Sequence, residues 1–157
     1  MVSKRIWRLV GLMAAGALAL AGCTSGGASP TADGGGATTV AVTLQEWAVV
    51  PAPNSAPAGD VTFEITNDGP EDIHEFVVIK TDLDVGELPT DADGVLDEGG
   101  EGMVVIDEVE DLLVGETQTL TVSLDSGSYA LVCNVWDDEE GEAHYRMGMY
   151  TAFTVTD

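Results

Sequence analysis

A short stretch near the end of the sequence holds several side chains that bind metals. Residues 133–149, CNVWDDEEGEAHYRMGM, contain a thiol, an imidazole and two thioethers. The whole chain of 157 residues has only 2 cysteines and 2 histidines. Thiolate and thioether are soft ligands that suit copper and zinc, and imidazole binds several transition metals. The grouping therefore predicts a transition-metal site.

The alternation of side chains along extended strands indicates how distant ligands could meet. Cys133 has the same parity as Leu131, so it faces the same side of a strand as that apolar residue. One of the two histidines, His74, shares parity with Phe76 and is the first residue of an apolar segment. His144 follows Cys133 after ten intervening residues. We expect the thiol and both imidazoles to lie at one end of a sheet sandwich.

Two methionines follow the second histidine, at positions 147 and 149. Met149 shares parity with Phe153 and Val155 of the last apolar segment, whereas Met147 lies closer to His144. Two imidazoles and a thiolate in a plane, with a more distant methionine on the axis, form the blue-copper arrangement. The spacing predicts one mononuclear copper site and leaves either methionine as its axial ligand.

Each of these residues taken alone has a simpler explanation. A free cysteine is often a small buried hydrophobe, and methionines fill gaps in cores. Zinc accepts two histidines and a cysteine together with a water molecule, but a methionine contributes nothing to such a site. The conjunction of four candidate ligands at strand ends favours copper over zinc and over a metal-free adhesion module.

The remainder of the sequence predicts an all-β fold. Short segments of alternating apolar residues, separated by turn residues, are typical of antiparallel sandwiches and barrels. The candidate strands are VAVTLQEW, DVTFEIT, HEFVVIKT, MVVIDEV, QTLTVSL, SYALVCNV and TAFTVT. Residues 82–102 are acidic and the least strand-like, and they do not fit the EF-hand calcium loop. We expect an acidic loop or a short helix there.

The motifs around the candidate ligands resemble those of the cupredoxin family, the small blue-copper proteins such as plastocyanin and azurin. The resemblance covers residues 40–157 and rests on three motifs, Asn67-x-Gly69 before His74-Glu75-Phe76-Val77-Val78, Gly127-x-Tyr129-x-Leu131-x-Cys133-Asn134, and His144-Tyr145-x-x-Gly148-Met149. It implies a Greek-key β-sandwich and one type 1 copper ion. The equatorial ligands it implies are His74, Cys133 and His144, and the axial ligand it implies is Met149 rather than Met147.

Two positions depart from the pattern of this family. The segment VWDDEEGEA lengthens the loop between Cys133 and His144 relative to the small electron carriers. Glu75 stands where several relatives have an asparagine that braces the cysteine loop. The resemblance implies one-electron transfer rather than catalysis, and two liganded histidines leave no imidazole as a general base.

The start of the chain has the order of a bacterial lipoprotein signal peptide. Three basic residues precede an apolar run over residues 9–21, and Leu20-Ala21-Gly22 leads directly to Cys23. We expect residues 1–22 to be removed, Cys23 to carry lipid, and residues 23–39 to form a flexible Gly/Ser/Thr linker ahead of the domain. A simple cleaved signal and an uncleaved anchor are the alternatives. Lipidation would leave Cys133 without a disulfide partner.

The charge of the chain restricts its partners. The formal net charge is −23, and residues 1–22 contain three of the five basic residues and no acidic ones. Nucleic-acid binding requires basic patches and is excluded, whereas a basic redox partner is favoured. We expect a membrane-tethered one-electron carrier on the outer face of the cytoplasmic membrane. The alternative is an extracytoplasmic copper-binding lipoprotein for storage, delivery or sensing.

Overall fold

The computed structural model describes residues 36–157, which fold into short strands and a single helical turn. The elements are β1 (Thr38–Gln45), β2 (Ala48–Ala52), β3 (Ser55–Pro57), β4 (Gly59–Asn67), β5 (His74–Thr81), β6 (Met103–Leu112), β7 (Thr117–Leu124), β8 (Gly127–Val132), β9 (Trp136–Asp137), β10 (Glu142–Ala143), α1 (His144–Met147) and β11 (Tyr150–Thr156). Within this range no helix is long and apolar enough to cross a membrane. The predicted signal peptide and most of the predicted linker lie outside the described residues, and the last two linker residues already belong to β1.

Two sheets form the sandwich that the alternating pattern predicts. The first has the strand order β2-β1-β4-β7, and the second has the order β3-β11-β8-β5-β6. Most strand pairs are antiparallel as predicted, but β1 runs parallel to β4 and β3 runs parallel to β11. The chain crosses from the first sheet to the second between β2 and β3, and such a crossover is what allows two strands to pair in parallel.

The main core lies between the sheets and contains the alternate residues that were predicted to face inward. On β1 and β4 these residues are at most 1% exposed; they are Val40, Val42, Leu44, Val61, Phe63 and Ile65. The ring of Phe63 packs against Phe76 of β5 and Phe153 of β11, with centroid distances of 5.2 and 5.5 Å. Three strands from both sheets therefore meet at this aromatic cluster.

Residues 82–102 cover the outer face of the second sheet. This segment contains turns and one isolated bridge between Thr90 and Leu96, so the loop alternative is correct and the helix alternative is wrong. Its Leu88 and Leu96 are buried in a second apolar cluster with Ile79 and Val132. Apolar residues at consecutive positions of β5 are explained by this arrangement, because the strand is buried on both faces.

Candidate metal centre

Antiparallel pairing of two central strands brings the first candidate ligands together. His74 is the first residue of β5, and Cys133 directly follows the last residue of β8. These strands are antiparallel neighbours, with Val77 opposite Val132, so the start of one meets the end of the other. His144 opens α1 at the same end and completes a buried cluster with His74 and Cys133.

The three donor atoms form a compact triangle. The Nδ1 atoms of His74 and His144 are 3.3 Å apart, and the Sγ atom of Cys133 lies 3.8 Å from the first and 3.5 Å from the second. A point equidistant from these atoms lies about 2 Å from each, which is close to the length of about 2.0 to 2.1 Å of a bond between an imidazole nitrogen and zinc. The cluster is therefore the right size for one metal ion.

Burial favours the uncharged form of all three groups. The pKa values of His74 and His144 are lowered by burial, and that of His74 is lowered further by the neighbouring imidazole. Burial raises the pKa of the Cys133 thiol to about 12, although the amide N–H of Glu75 donates to its sulfur at 3.2 Å. Neutral imidazoles can bind metal directly, whereas the thiol must release a proton as metal binds.

The two methionines occupy different environments. Met149 is fully buried in the main core, while Met147 is 40% exposed. The backbone of Met149 is fixed beside the other ligands, because its carbonyl accepts the Cys133 N–H at 2.9 Å and its N–H donates to the His144 carbonyl at 3.1 Å. The structure thus places Met149 with the buried ligands and Met147 at the surface.

The loop that carries His144 is ordered by its own hydrogen bonds. The inserted segment forms a short ribbon of β9 and β10, and the His144 N–H donates to the Val135 carbonyl at 2.9 Å. Gly148 ends α1 in the left-handed conformation, with φ of 114°, which turns the chain toward Met149 and β11. This glycine is needed because a side chain rarely adopts that conformation.

Solved structures with a similar fold include three auracyanins. An auracyanin from Roseiflexus castenholzii matches with a TM-score of 0.55 and 23% identity, over 78% of this chain and 100% of its own. Auracyanin B matches with a TM-score of 0.53 and 22% identity, over 80% and 93%. Auracyanin A, a "blue" copper protein from Chloroflexus aurantiacus, matches with 0.52 and 18% identity, over 77% and 100%.

These matches cover 77 to 80% of the chain. The chain has the cupredoxin fold. No family model matches the sequence, and a comparison with curated proteins found no match. The predicted cupredoxin-like sandwich is confirmed.

At the candidate metal centre, two imidazole nitrogens and one sulfur atom form a triangle beside a buried methionine. That donor set is the one a type 1 copper site uses. The predicted lipid-bearing residue, Cys23, lies outside the described residues.

The fold places two further residues at the centre that the sequence did not reveal. Glu46, after β1, has its Oε1 atom 3.8 Å from the Nε2 atom of His74. The ring of Trp47 packs edge-on against His144, with centroids 5.0 Å apart. Glu46 and His74 are distant in the chain and lie at the ends of strands in different sheets, so they meet only in the folded sandwich. The residues next to Glu46 in the sequence give no indication that its carboxylate contacts a histidine.

The brace of the cysteine loop comes from Asn134. Its Oδ1 atom accepts the Leu96 N–H at 2.7 Å, and its Nδ2 atom donates to Glu98 at 2.9 Å. Residues 82–102 therefore support the ligand loop as well as covering the sheet. The asparagine next to Cys133 thus ties the loop after β8 to the adjoining segment.

Three carboxylates lie together beside that loop, on Glu75, Glu98 and Glu108, with oxygen atoms within 4.8 Å of one another. Burial, followed by the charges of Glu98 and Glu108, raises the pKa of Glu75 to about 7. The unfolded chain ionises this group near pH 4.5. Between these two pH values the unfolded state releases the proton first, so the folded state loses stability as the pH rises.

We expect Glu75→Gln to stabilise the metal-free protein at pH 8 by about 1 to 2 kcal/mol, because solvent screening limits the effect of a partly exposed carboxylate. At pH 5 the gain should be much smaller, since the wild-type group is then protonated in the folded state. Urea unfolding at both pH values measures the difference. Glu64→Gln, on an exposed side chain of β4, is the charge-matched control. An equal gain at both pH values would contradict the prediction.

Proposed function

We propose that this protein is a type 1 copper protein that carries single electrons. The observation that supports the proposal most directly is the buried triangle of two Nδ1 atoms and one Sγ atom, with edges of 3.3 to 3.8 Å, beside the buried Met149. Copper bound by such ligands supplies a Cu(I)/Cu(II) couple. Both histidines of the chain serve as ligands, and this favours electron transfer over acid–base catalysis.

The protein would hold the ligands in place while the copper ion changes between Cu(I) and Cu(II). His74 and Cys133 are fixed by adjacent strands, and His144 is fixed by backbone hydrogen bonds on both sides. Ligands that lie within 4 Å of one another in the folded chain need little rearrangement. Small rearrangement favours fast electron transfer in both directions.

Copper titration tests the proposal. The full chain should bind one equivalent of copper(II) and develop an intense visible absorption band from thiolate-to-copper charge transfer. Its paramagnetic resonance spectrum should show the narrow hyperfine splitting of a type 1 site. Binding of zinc but not copper, or copper binding without the visible band, would overturn the proposal.

We propose further that electrons leave through the end of the sandwich where His144 lies. A cavity of 380 Å³ opens beside His144, and its lining includes Trp136, Asp72 and residues 137–139. Five large apolar residues on the segments at this end are exposed; they are Ile73, Leu113, Val114, Trp136 and Met147. Carboxylates among these apolar residues suit a partner with a basic rim, which agrees with the net charge of −23. We call this surface the His144 face.

Small redox probes of opposite charge test the His144 face. Electron transfer with hexaammineruthenium should slow about fivefold as ionic strength rises from about 10 to 200 mM, because salt screens its attraction to the acidic surface. Transfer with ferricyanide should become faster over the same range. Stopped-flow absorbance of the copper band measures both rates.

Two matched double variants distinguish the effect of charges on the His144 face from the effect of the net charge of the protein. Asp138→Asn with Glu139→Gln, on the His144 face, should slow the ruthenium reaction about two- to threefold at low salt. Asp82→Asn with Glu101→Gln removes the same charge from exposed residues at the other end of the second sheet and should change the rate much less. Equal effects of the two double variants would contradict electron exit at this face.

We also propose that lipid on Cys23 holds the domain on the outer face of the cytoplasmic membrane. The sequence order of basic residues, apolar run and Leu-Ala-Gly-Cys supports this location. The Gly-, Ser- and Thr-rich residues that follow would let the domain reach a partner in the same membrane. Membrane fractions should contain the protein, and Cys23→Ser should release it to the soluble fraction.

A second function, delivery of copper to an acceptor, is favoured by the exposed thioether of Met147 next to the ligand loop. Thioethers bind Cu(I) and could pass it between sites. Rapid electron self-exchange with tightly held copper supports the carrier. Transfer of Cu(I) to a chelator within seconds, at a rate that falls in Met147→Leu, supports delivery.

A further inference from the structure

A partly buried carboxylate faces the outer nitrogen of one of the candidate metal-binding histidines. The Oε1 atom of Glu46 lies 3.8 Å from the Nε2 atom of His74, and the two side chains are 11% and 0% exposed. Within residues 36–157 the Nε2 atom of His74 and the Oε2 atom of Glu46 have no hydrogen-bond partner. Buried polar groups without partners are uncommon, so this pair requires an explanation.

The position of the carboxylate is fixed by the segment that leads into β5. Glu46 Oε1 accepts the amide N–H of Asp72 at 2.9 Å and that of Glu71 at 3.3 Å. A Cβ atom added to Gly69 would lie 2.6 Å from Oε1 and 2.7 Å from Oε2. Only glycine at this position leaves room for the carboxylate. Although burial opposes ionisation, backbone amides including those of Asp72 and Glu71 hold the pKa of Glu46 below its ordinary value.

The tautomer of His74 follows from the geometry of the triangle. Its Nδ1 atom faces Cys133 and His144 at 3.8 and 3.3 Å, so Nδ1 is the metal-binding nitrogen. A neutral imidazole that binds metal through Nδ1 carries its proton on Nε2. That proton points toward the end of the side chain where Glu46 lies. A hydrogen-bonded carboxylate would make such an imidazole a stronger donor, whereas at 3.8 Å the Glu46 carboxylate acts on His74 through its negative charge.

We propose that Glu46 is a positioning residue that favours the divalent over the monovalent state of the metal held by His74. The inference rests on the proposed copper site and adds the group that sets its redox preference. A fixed negative charge beside the imidazole stabilises a doubly charged ion more than a singly charged one. The Glu46 carboxylate therefore lowers the reduction potential of the site.

The second histidine has a different environment, which makes the effect specific to one ligand. His144 has the edge of the Trp47 ring against it, and its Nε2 atom has no hydrogen-bond partner among the described residues. His144 also lines the cavity of the His144 face. Both imidazoles are buried, so a negative charge faces the Nε2 atom of His74 alone, whereas His144 borders the cavity without being exposed itself.

The test compares metal affinities of Glu46→Gln with those of the wild type and of Glu64→Gln. Copper(II) affinity of Glu46→Gln should fall about 10- to 100-fold, as for other groups that orient metal ligands. Copper(I) affinity should change less than about threefold, so the reduction potential should rise. Glu64→Gln removes the same charge from an exposed position and should match the wild type.

A second variant covers the case in which Glu46→Gln does not fold. Gly69→Ala keeps every charge but displaces the carboxylate, so it should shift the potential in the same direction. In the zinc-loaded protein, the Nε2 proton resonance of His74 should move upfield in either variant while that of His144 stays in place. Zinc replaces copper here because it is not redox-active.

The outcomes separate this inference from the proposed function. A wild-type protein that forms no copper band refutes the copper site itself. A wild-type protein with the band, whose ratio of copper(II) to copper(I) affinity is unchanged in both Glu46→Gln and Gly69→Ala, refutes the role of Glu46 alone. Equal losses of both affinities would assign Glu46 a purely structural role and would also overturn the inference.

Discussion

Cys133→Ser is expected to abolish the intense visible band of the copper-loaded protein and to weaken copper(II) binding by at least about 100-fold. The band requires a thiolate, and a serine hydroxyl in this fully buried position does not ionise. His74 and His144 would remain as ligands and could hold copper(II) weakly without the band. Visible and paramagnetic resonance spectra with isothermal titration measure both effects.

The second cysteine of the chain provides the matched control. Cys23→Ser makes the same chemical change and should leave the band and the copper affinity unaltered. A hydroxyl without a partner in the core costs about 1 to 3 kcal/mol, so circular dichroism should establish that Cys133→Ser is folded. A folded Cys133→Ser protein that keeps the band would refute the ligand role of Cys133.

Phe63→Ala is expected to lower the free energy of unfolding by about 3 to 5 kcal/mol. Phe63 is fully buried and contacts Phe76 and Phe153 with centroid distances of 5.2 and 5.5 Å, so its removal leaves a cavity shared by both sheets. A domain of this size has a total stability of roughly 5 to 15 kcal/mol. The variant should therefore be folded marginally or not at all at 37 °C.

Urea unfolding of the metal-free protein measures this loss, with Phe63→Leu as a milder variant. Thr62→Ala, on the adjacent residue of β4, is the control. It removes only an exposed hydrogen bond between Thr62 and Thr121 and should cost no more than about 1 kcal/mol. Similar losses in Phe63→Ala and Thr62→Ala would show that the aromatic cluster does not link the sheets as described. Copper should partly restore the stability of Phe63→Ala, because metal binding to the folded state increases the free energy of unfolding.

The sequence predicted the faces of the strands because side-chain direction alternates locally. Residues such as Val42, Ile65 and Leu131 are buried where parity placed them. The candidate ligands were also visible in the sequence, since soft and imidazole donors are rare in this chain and stand at strand ends. These properties depend on residue type and on neighbours a few positions away.

Pairing between distant strands was beyond the reach of the sequence pattern. Alternation is the same in a parallel and an antiparallel strand, so it did not reveal that β1 pairs with β4 in parallel. It likewise gave no reason to expect residues 82–102 to cover a sheet, because Leu88 and Leu96 are isolated among acidic residues.

The residues alone determined which atoms could bind a metal, and tertiary structure decided the geometry and surroundings of those atoms. Spacing alone left Met147 and Met149 open, the family resemblance favoured Met149, and in the structure Met149 is buried while Met147 is exposed. Glu46 meets His74 only because the sheets bring residues 46 and 69–74 together, with glycine at position 69 leaving the space. Ligand chemistry belongs to single side chains, whereas the charge and packing around a ligand depend on chain segments that are adjacent only after folding.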